Sequence, residues 1–351
     1  MRWKLFFLLC TICFAKEISA QGRFDRWVNP VIDSSYIDSY YKDLILRIYW
    51  SQKYSTQTIG DSGENLKLSY RPSNGYALGA GFTYKFVTIN LGWIFPFAKP
   101  DPDRYGGSER LDLQAHLYLR RFYVDFFTGY YKGQYLTNTN DLLPDFYPVG
   151  QYYVRRDLRT YSLGMGVYTN FNPGKFRFEA PFIQNMKQKK SAGAPTAGFE
   201  AYRVGSQADS SFVPKDLAGN SFFDGKDFYR WEILTFNITA GYAYNFVVLK
   251  DFFVFLSLNG SIGLGYNHLY LINSDTANRI SSNKGISSRF GIGYQKDRLF
   301  IGASWISYQL FSPTAIPGTY IQWNPGVLRF NIAYRIVLKK GLDVRVNKRK
   351  T

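Results

Sequence analysis

The chain has 351 residues, a formal net charge of +17 and an aromatic content of 19%, with 29 Tyr, 30 Phe and 31 Gly. After the first fifteen residues no apolar run is long enough to cross a membrane as a helix, which argues against a helical membrane protein. The basic excess speaks to association and not to fold: it suits a solvated surface with a basic tail, or attraction to the phosphates of lipopolysaccharide, an anionic solute or nucleic acid.

The first twenty residues, MRWKLFFLLCTICFAKEISA, place Arg2 and Lys4 before the apolar run Leu5 to Phe14 and end on the small residue Ala20, the pattern of a cleaved export signal. Removing its three basic residues and one acidic residue subtracts 2 from +17 and leaves +15. Cys10 and Cys13 both fall inside residues 1–20, so the mature chain is expected to carry no thiol, disulfide or acyl anchor. Export disfavours nucleic acid as a partner. Residues 21–42 read as a polar, aromatic periplasmic leader, 43–338 as the folded body, and 339–351 as a basic periplasmic tail.

From residue 43 onward, period-2 segments alternate with turn residues. DLILRIYWSQKYS (43–55) opens the series. NGYALGAGFTYKF and VTINLGWIF form a hairpin, with Tyr76, Leu78, Ala80, Phe82 and Tyr84 on one face of the first strand. ERLDLQAHLYLRRFYVDFFTGYY is the clearest pair: Leu111, Leu113, Ala115, Leu117 and Leu119 oppose Asp112, Gln114, His116 and Arg120, and past Gly129 the parity blurs as at a bulge. TYSLGMGVYTNF and KFRFEAPFIQ are expected to pair about the turn Asn172-Pro173-Gly174. ILTFNITAGYAYNFVVL meets FFVFLSLNGSIGLGYNHLYLI at Lys250-Asp251, and SSRFGIGYQ meets RLFIGASWISYQLF at Lys296-Asp297. GVLRFNIAYRIVL (326–338) closes the set, with Leu328, Phe330, Ile332 and Tyr334 on one parity and Arg329, Asn331, Ala333 and Arg335 on the other.

Short turns alternate with long polar connections such as PFAKPDPDRYGGS, TNTNDLLPDFYPVGQ, NSDTANRISSNKG and SPTAIPGTYIQWNP. That sorting is the habit of an outer-membrane barrel, with short turns periplasmic and longer loops extracellular. The fold class read here is therefore all-β, an antiparallel transmembrane β-barrel of about twelve strands, with fourteen as the alternative. Twelve requires merging 64–85 into one kinked strand and treating 188–227 as mostly an excursion.

Gly79, Gly81, Gly164, Gly166, Gly241, Gly263, Gly265, Gly291 and Gly293 lie on the polar parity. Glycine weakens a strand interior unless a bend or close approach needs it. On the crowded inner wall of a barrel such rows leave room for long side chains, which places the apolar face outside. Tyr76, Tyr84, Trp93, Tyr242, Tyr244, Tyr294, Trp305 and Tyr334 share that apolar parity, several near strand ends where interfacial girdles belong.

YRPSNGYALGAGFTYK, LDLQAHLYLRRFYVDFF, QKKSAGA (188–194), DSSFVP (209–214) and AGYAYNFVV resemble the outer-membrane barrel family of Bacteroidetes called domain of unknown function 4421, over nearly all of the chain after about residue 36. The resemblance implies a barrel and an outer-membrane location. It implies no activity and no site residues.

Chemistry is sparse. There is no G-x-S-x-G, no phosphate-binding glycine loop and no Cys cluster, and the two histidines, His116 and His268, have no metal-site spacing. No cofactor, metal or catalytic residue is expected. A lipid hydrolase or acyltransferase would need a serine at one histidine, and Ser257 and Ser261 lie on the opposite parity from His268. The stronger constellation is the polar face: Asp112, His116, Arg120, Asp125, Arg177, Glu179, Asn245, Asn259, Arg289, Arg329 and Arg335. In an open lumen these residues select solutes by charge, and in a filled one they pair and hold the barrel together. The leading reading is a channel or transporter for small anionic solutes. The alternative is a non-conducting structural or surface-interaction barrel whose loops at 133–151 and 311–325 bind something outside. Expected partners are outer-membrane lipid and lipopolysaccharide, the barrel-assembly machinery during biogenesis, and a small anionic solute.

Overall fold

Alternation becomes geometry most plainly where the sheet closes, between β2 (Leu44–Asp61) and β15 (Thr319–Ile336), which pair antiparallel along their full length. On β15 Phe330, Ile332 and Tyr334 are exposed, while Asn331, Ala333 and Arg335 are buried. Leu46, Ile48 and Trp50 of β2 likewise point out, and Ile45, Arg47 and Tyr49 point in. The apolar side faces outward all round the sheet and the mixed, polar side faces the axis.

The computed structural model describes residues 32–338 apart from 64–65, 86, 120, 146, 218–221 and 274. The segments expected as an export signal (1–20) and a basic tail (339–351), residues 21–31 of the expected leader, and Arg120 lie outside the described residues.

Around the barrel the remaining strands are β3 (Leu66–Pro72), β4 (Ala77–Tyr84), β5 (Val87–Trp93), β6 (Glu109–Tyr118), β7 (Phe122–Leu136), β8 (Val154–Asn170), β10 (Ala192–Gln207), β11 (Phe228–Val248), β12 (Phe252–Leu271), β13 (Thr276–Lys296) and β14 (Leu299–Pro313). Two short strands, β1 (Ile37–Ser39) and β9 (Met186–Gln188), pair with each other away from the main sheet. Among the described residues the main sheet has thirteen strands, all pairings antiparallel. Ten of them close a ring in the order β2, β3, β7, β8, β10, β11, β12, β13, β14, β15. β4 and β5 extend from the lower half of β2, and β6 is attached to β7. β3 and β4 pair with successive stretches of the same strand, 57–61 and 44–51 of β2, so they share one lane across a break. Hence neither twelve nor fourteen describes the sheet as hydrogen-bonded.

Strands β11, β12 and β13 are 21, 20 and 21 residues long. A tilted membrane strand needs roughly 10, so these run on well past an apolar belt toward the long-loop end. This corrects two expected loops. Most of NSDTANRISSNKG is strand β13, and much of SPTAIPGTYIQWNP is strand β15; backbone pairing continues past the apolar belt, where outward positions such as Thr276, Asn278, Ser282 and Gln322 are polar and show no apolar parity.

The pairing expected about Asn172-Pro173-Gly174 is also corrected. KFRFEAPFIQ forms no wall strand; residues 176–188 turn inward, with a single helical turn at Glu179–Phe182 followed by β9. The return strand to β8 is β10, inside the stretch expected as an excursion. Pro181 and the flanking bulky residues Phe176, Phe178 and Phe182 suit a packed insert better than a sheet, since proline removes a ladder donor. The parity change after Gly129 is a register shift between Lys132 and Gln134, where Gly133 takes a φ of +84°.

Both ends of the barrel are filled. At the short-turn end Phe176, Phe178 and Ile183 from the insert pack with Tyr118, Tyr123, Tyr168, Phe253, Phe255 and Phe300 of the wall. Inward wall side chains satisfy the insert's backbone: Arg335 Nε donates to the Gln184 carbonyl at 3.1 Å, Arg47 Nη2 to that of Ile183 at 2.8 Å, and Gln295 Nε2 to that of Met186 at 3.0 Å. At the long-loop end residues 208–217 and 222–227 fold back so that Phe212, Val213 and Phe223 pack with Tyr70, Trp231, Leu269 and Trp323. The inner-wall glycines make this density possible: a Cβ on Gly164 would stand 2.1 Å from the Phe127 ring and 2.6 Å from Tyr202, and one on Gly79 2.3 Å from the Tyr49 ring.

Candidate functional site

Between the two apolar plugs lies a polar belt. Alternation supplies it, since each inward position at mid-strand is contributed by a residue whose neighbours face out. Its centre is Asp125 on β7. The carboxylate receives Arg289 Nη2 from β13, the Tyr308 hydroxyl from β14 at 2.9 Å, and lies 2.7 Å from His116 Nδ1 on β6. Arg289 Nη2 also reaches the Tyr308 oxygen at 3.0 Å, and its guanidinium sits 5.0 Å over the Tyr123 ring. A second group joins Asp112 to Lys53 and to the Tyr131 hydroxyl.

The other sequence-predicted residues are dispersed. Arg177 and Glu179 pair with each other at 2.8 Å in the inward insert, not on a wall strand. Asn259 accepts from Thr196 Oγ1 at 2.5 Å and fixes β12 toward β10. Asn245 is buried at the short-turn end, with neither side-chain atom hydrogen-bonded among the described residues. Arg335 is spent on the Gln184 and Asp297 carbonyls and lies 3.9 Å over the Tyr40 ring. Arg329 lies 4.6 Å over the Tyr49 ring and makes no hydrogen bond among the described residues. His268 faces outward between Tyr266 and Tyr270, with the latter ring 4.2 Å away, and takes no part in the belt.

Sequence reasoning missed Arg47, Lys53 and Tyr308. Arg47 and Lys53 share the inward parity of β2 with Tyr49, a signal present in DLILRIYWSQKYS once its two faces are separated. Tyr308 carried no distinguishing signal, because aromatics populate both faces of these strands. Among the described residues no three His, Cys, Asp or Glu side chains gather as a metal site.

Two cavities adjoin the belt. One, of about 40 Å³, is lined by Asp112, His116, Asp125, Tyr131, Tyr308 and Trp323 among others. The other, of about 390 Å³, lies toward the short-turn end and is lined by Arg47, Asn90, His116, Phe126, Phe182 and Arg329 among others. It adjoins the one place where neighbouring wall strands are not hydrogen-bonded among the described residues, the seam between β5 and β6.

No curated protein matches the sequence. Solved structures similar to the chain include the outer membrane protease OmpT from Escherichia coli, at 7% identity and a TM-score of 0.37, over 85% of this chain and 98% of that one. They also include the translocator domain of the autotransporter NalP from Neisseria meningitidis, at 7% identity and a TM-score of 0.33, over 84% and 89% of the two chains. The Pseudomonas putida toluene transporter TodX aligns at 5% identity and a TM-score of 0.20, over 84% of this chain and 90% of that one. Residues 31–335 match the family model described as Domain of unknown function (DUF4421), and the chain belongs to that family.

Proposed function

We propose that this protein is an outer-membrane barrel closed to free permeation, a binding barrel and not a porin. The observation that carries the reading is the double plug: the apolar clusters around Phe178 and Phe212 fill the two ends of the axis, with the Asp125–Arg289 network between them. In this reading β3 and β4 count as one kinked lane, giving twelve lanes around the wall, with the short turns in the periplasm and the long loops outside. A channel for small anions needs a continuous wet path, and the packed ends argue against one. The basic lining then serves a bound anion. A lipid-modifying enzyme is less well supported, because neither histidine has a hydroxyl as hydrogen-bond partner among the described residues.

Planar-bilayer recording on the full-length protein tests the proposal. Insertion without discrete porin-like steps is the expected result. Stable, ohmic single-channel currents in the untreated protein would overturn it.

A further inference from the structure

An unpaired strand edge is costly in hydrocarbon, where each unsatisfied backbone group costs several kcal/mol, so open sheet edges are not left facing lipid. β5 pairs only with β4, and β6 only with β7, among the described residues. Both edges lie level with exposed apolar side chains: Ile89, Leu91 and Trp93 on β5, and Leu111, Leu113 and Leu117 on β6. The seam therefore sits in the belt, where something must cover it.

The adjoining cavity shows what chemistry would do so. Its lining includes inward residues (Asn90, His116) and outward ones (Ala115, Leu117), so the space passes through the wall around the β6 edge. At its inner end are Arg47 and Arg329, and no carboxylate pairs with either among the described residues. Arg329 Nε and Arg47 Nε are buried without a hydrogen-bond partner. An ionisable side chain at membrane depth is costly and marks a site where an opposite charge is received. Two unneutralised guanidinium groups behind an apolar mouth complement a molecule that is anionic at one end and aliphatic at the other.

We infer that the β5–β6 seam is a lateral entry for a single-chain fatty carboxylate drawn from the surrounding bilayer, its tail between Ala115, Leu117 and Phe126 and its carboxylate at Arg329 and Arg47. The size fits one chain: about 390 Å³ lies at the lower end of the roughly 300–1,000 Å³ of small-ligand sites. The planar, forked guanidinium of Arg329 matches a carboxylate in two parallel hydrogen bonds. This inference rests on the binding-barrel reading, and the two fail separately: conductance tests the plugs and ligand uptake tests the seam.

The test uses full-length protein in phosphatidylcholine nanodiscs with radiolabelled laurate, empty nanodiscs giving the partition baseline. Saturable binding of one laurate per barrel is expected, weakened at least tenfold by Arg329→Gln. Ala115→Trp, which fills the apolar mouth and leaves both arginines in place, should reduce uptake by a similar factor, and lauryl alcohol should compete poorly. Heat-modifiable gel mobility reports whether each variant is folded, and because Arg329 faces the interior and Ala115 the outer face, a folding defect in one is not expected to recur in the other. Absence of saturable binding above the baseline, as for a merely hydrated cavity or a seam covered by a second copy, overturns the inference. So does binding unchanged by both substitutions. Dodecyl phosphate bound where laurate is not would overturn the carboxylate assignment.

Discussion

Arg289 on β13 and Asp125 on β7 form an ion pair across the barrel axis, five strands apart in either direction around the ten-strand ring. Both side chains are nearly inaccessible, and the carboxylate is further held by Tyr308 and His116. A tie between opposite walls limits how far the cylinder can open, and on the proposed binding-barrel reading it helps keep the lumen closed.

Removing one member leaves the other charged and buried, a loss of about 3–5 kcal/mol. Asp125→Asn and Arg289→Ala are each expected to lower the midpoint of urea unfolding in lipid vesicles. Asp125→Leu with Arg289→Leu should be far less costly than the sum of the single changes. Strictly additive effects in that double-mutant cycle would contradict a direct pair.

Phe178 anchors the insert at the short-turn end, 4.4 Å from the Tyr123 ring and 5.7 Å from that of Phe255. Phe178→Ala removes a buried aromatic, worth about 3–5 kcal/mol, from a segment tied to the wall mainly by side-chain donors. The expected outcome is protease cleavage within 174–190 while the barrel itself stays intact.

Two glycines of the same sheet should answer substitution in opposite ways. A side chain at Gly79 meets the Tyr49 ring and the Leu91 carbonyl at 2.5 Å, whereas nothing lies within 4 Å of a Cβ on Gly260. Gly79→Val is expected to destabilise by about 1–3 kcal/mol through overpacking. Gly260→Val should be neutral or mildly stabilising, as a β-branched residue on the open face. Thermal unfolding of the two variants decides it.

Ile332 faces outward at 56% exposure, and its neighbour Ala333 faces the axis at 1%. If the outer belt meets lipid, Ile332→Arg costs about 2–4 kcal/mol near the bilayer midplane. The same change should be nearly silent in a water-soluble protein. Refolding yield into phosphatidylcholine vesicles separates these cases.

Acid should release the long-loop plug at one defined contact. Arg155 donates through Nε and Nη2 to Asp157 at 2.9 and 2.7 Å and through Nη1 to the Ser211 carbonyl at 2.6 Å, on the loop side of the apolar belt, which on β8 begins at Leu163. The Arg155 hydrogen bond, ahead of the opposing effect of burial, holds the Asp157 carboxyl down at about 2, below its ordinary 3.8. A depressed folded-state value means the stabilisation is complete above the unfolded value and is lost as pH falls from about 4 toward about 2. Asp157 is partly solvated, so the contribution is on the order of 1 kcal/mol after screening. Amide exchange at 208–213 should accelerate through that window, and Asp157→Asn should show the fast exchange already at pH 7.

Alternation by itself determined the barrel class and which face looks outward, because side-chain direction in a strand is a strictly local consequence of the pleat. Phe330, Ile332 and Arg335 could be sorted from GVLRFNIAYRIVL alone, and the polar-parity glycines already implied a crowded inner wall. Only the tertiary structure decided that 175–184 turns inward while 192–207 supplies the wall, since a buried insert and a buried strand share the same apolar composition. It likewise decided that Asp125 meets Arg289 and that Arg329 meets no carboxylate among the described residues, because partners across a cylinder are set by closure and shear, and no local spacing encodes them. The unpaired seam beside β6 belongs to that second class: each edge strand alternates like its neighbours, and only the hydrogen bonds between strands show where the wall is left open.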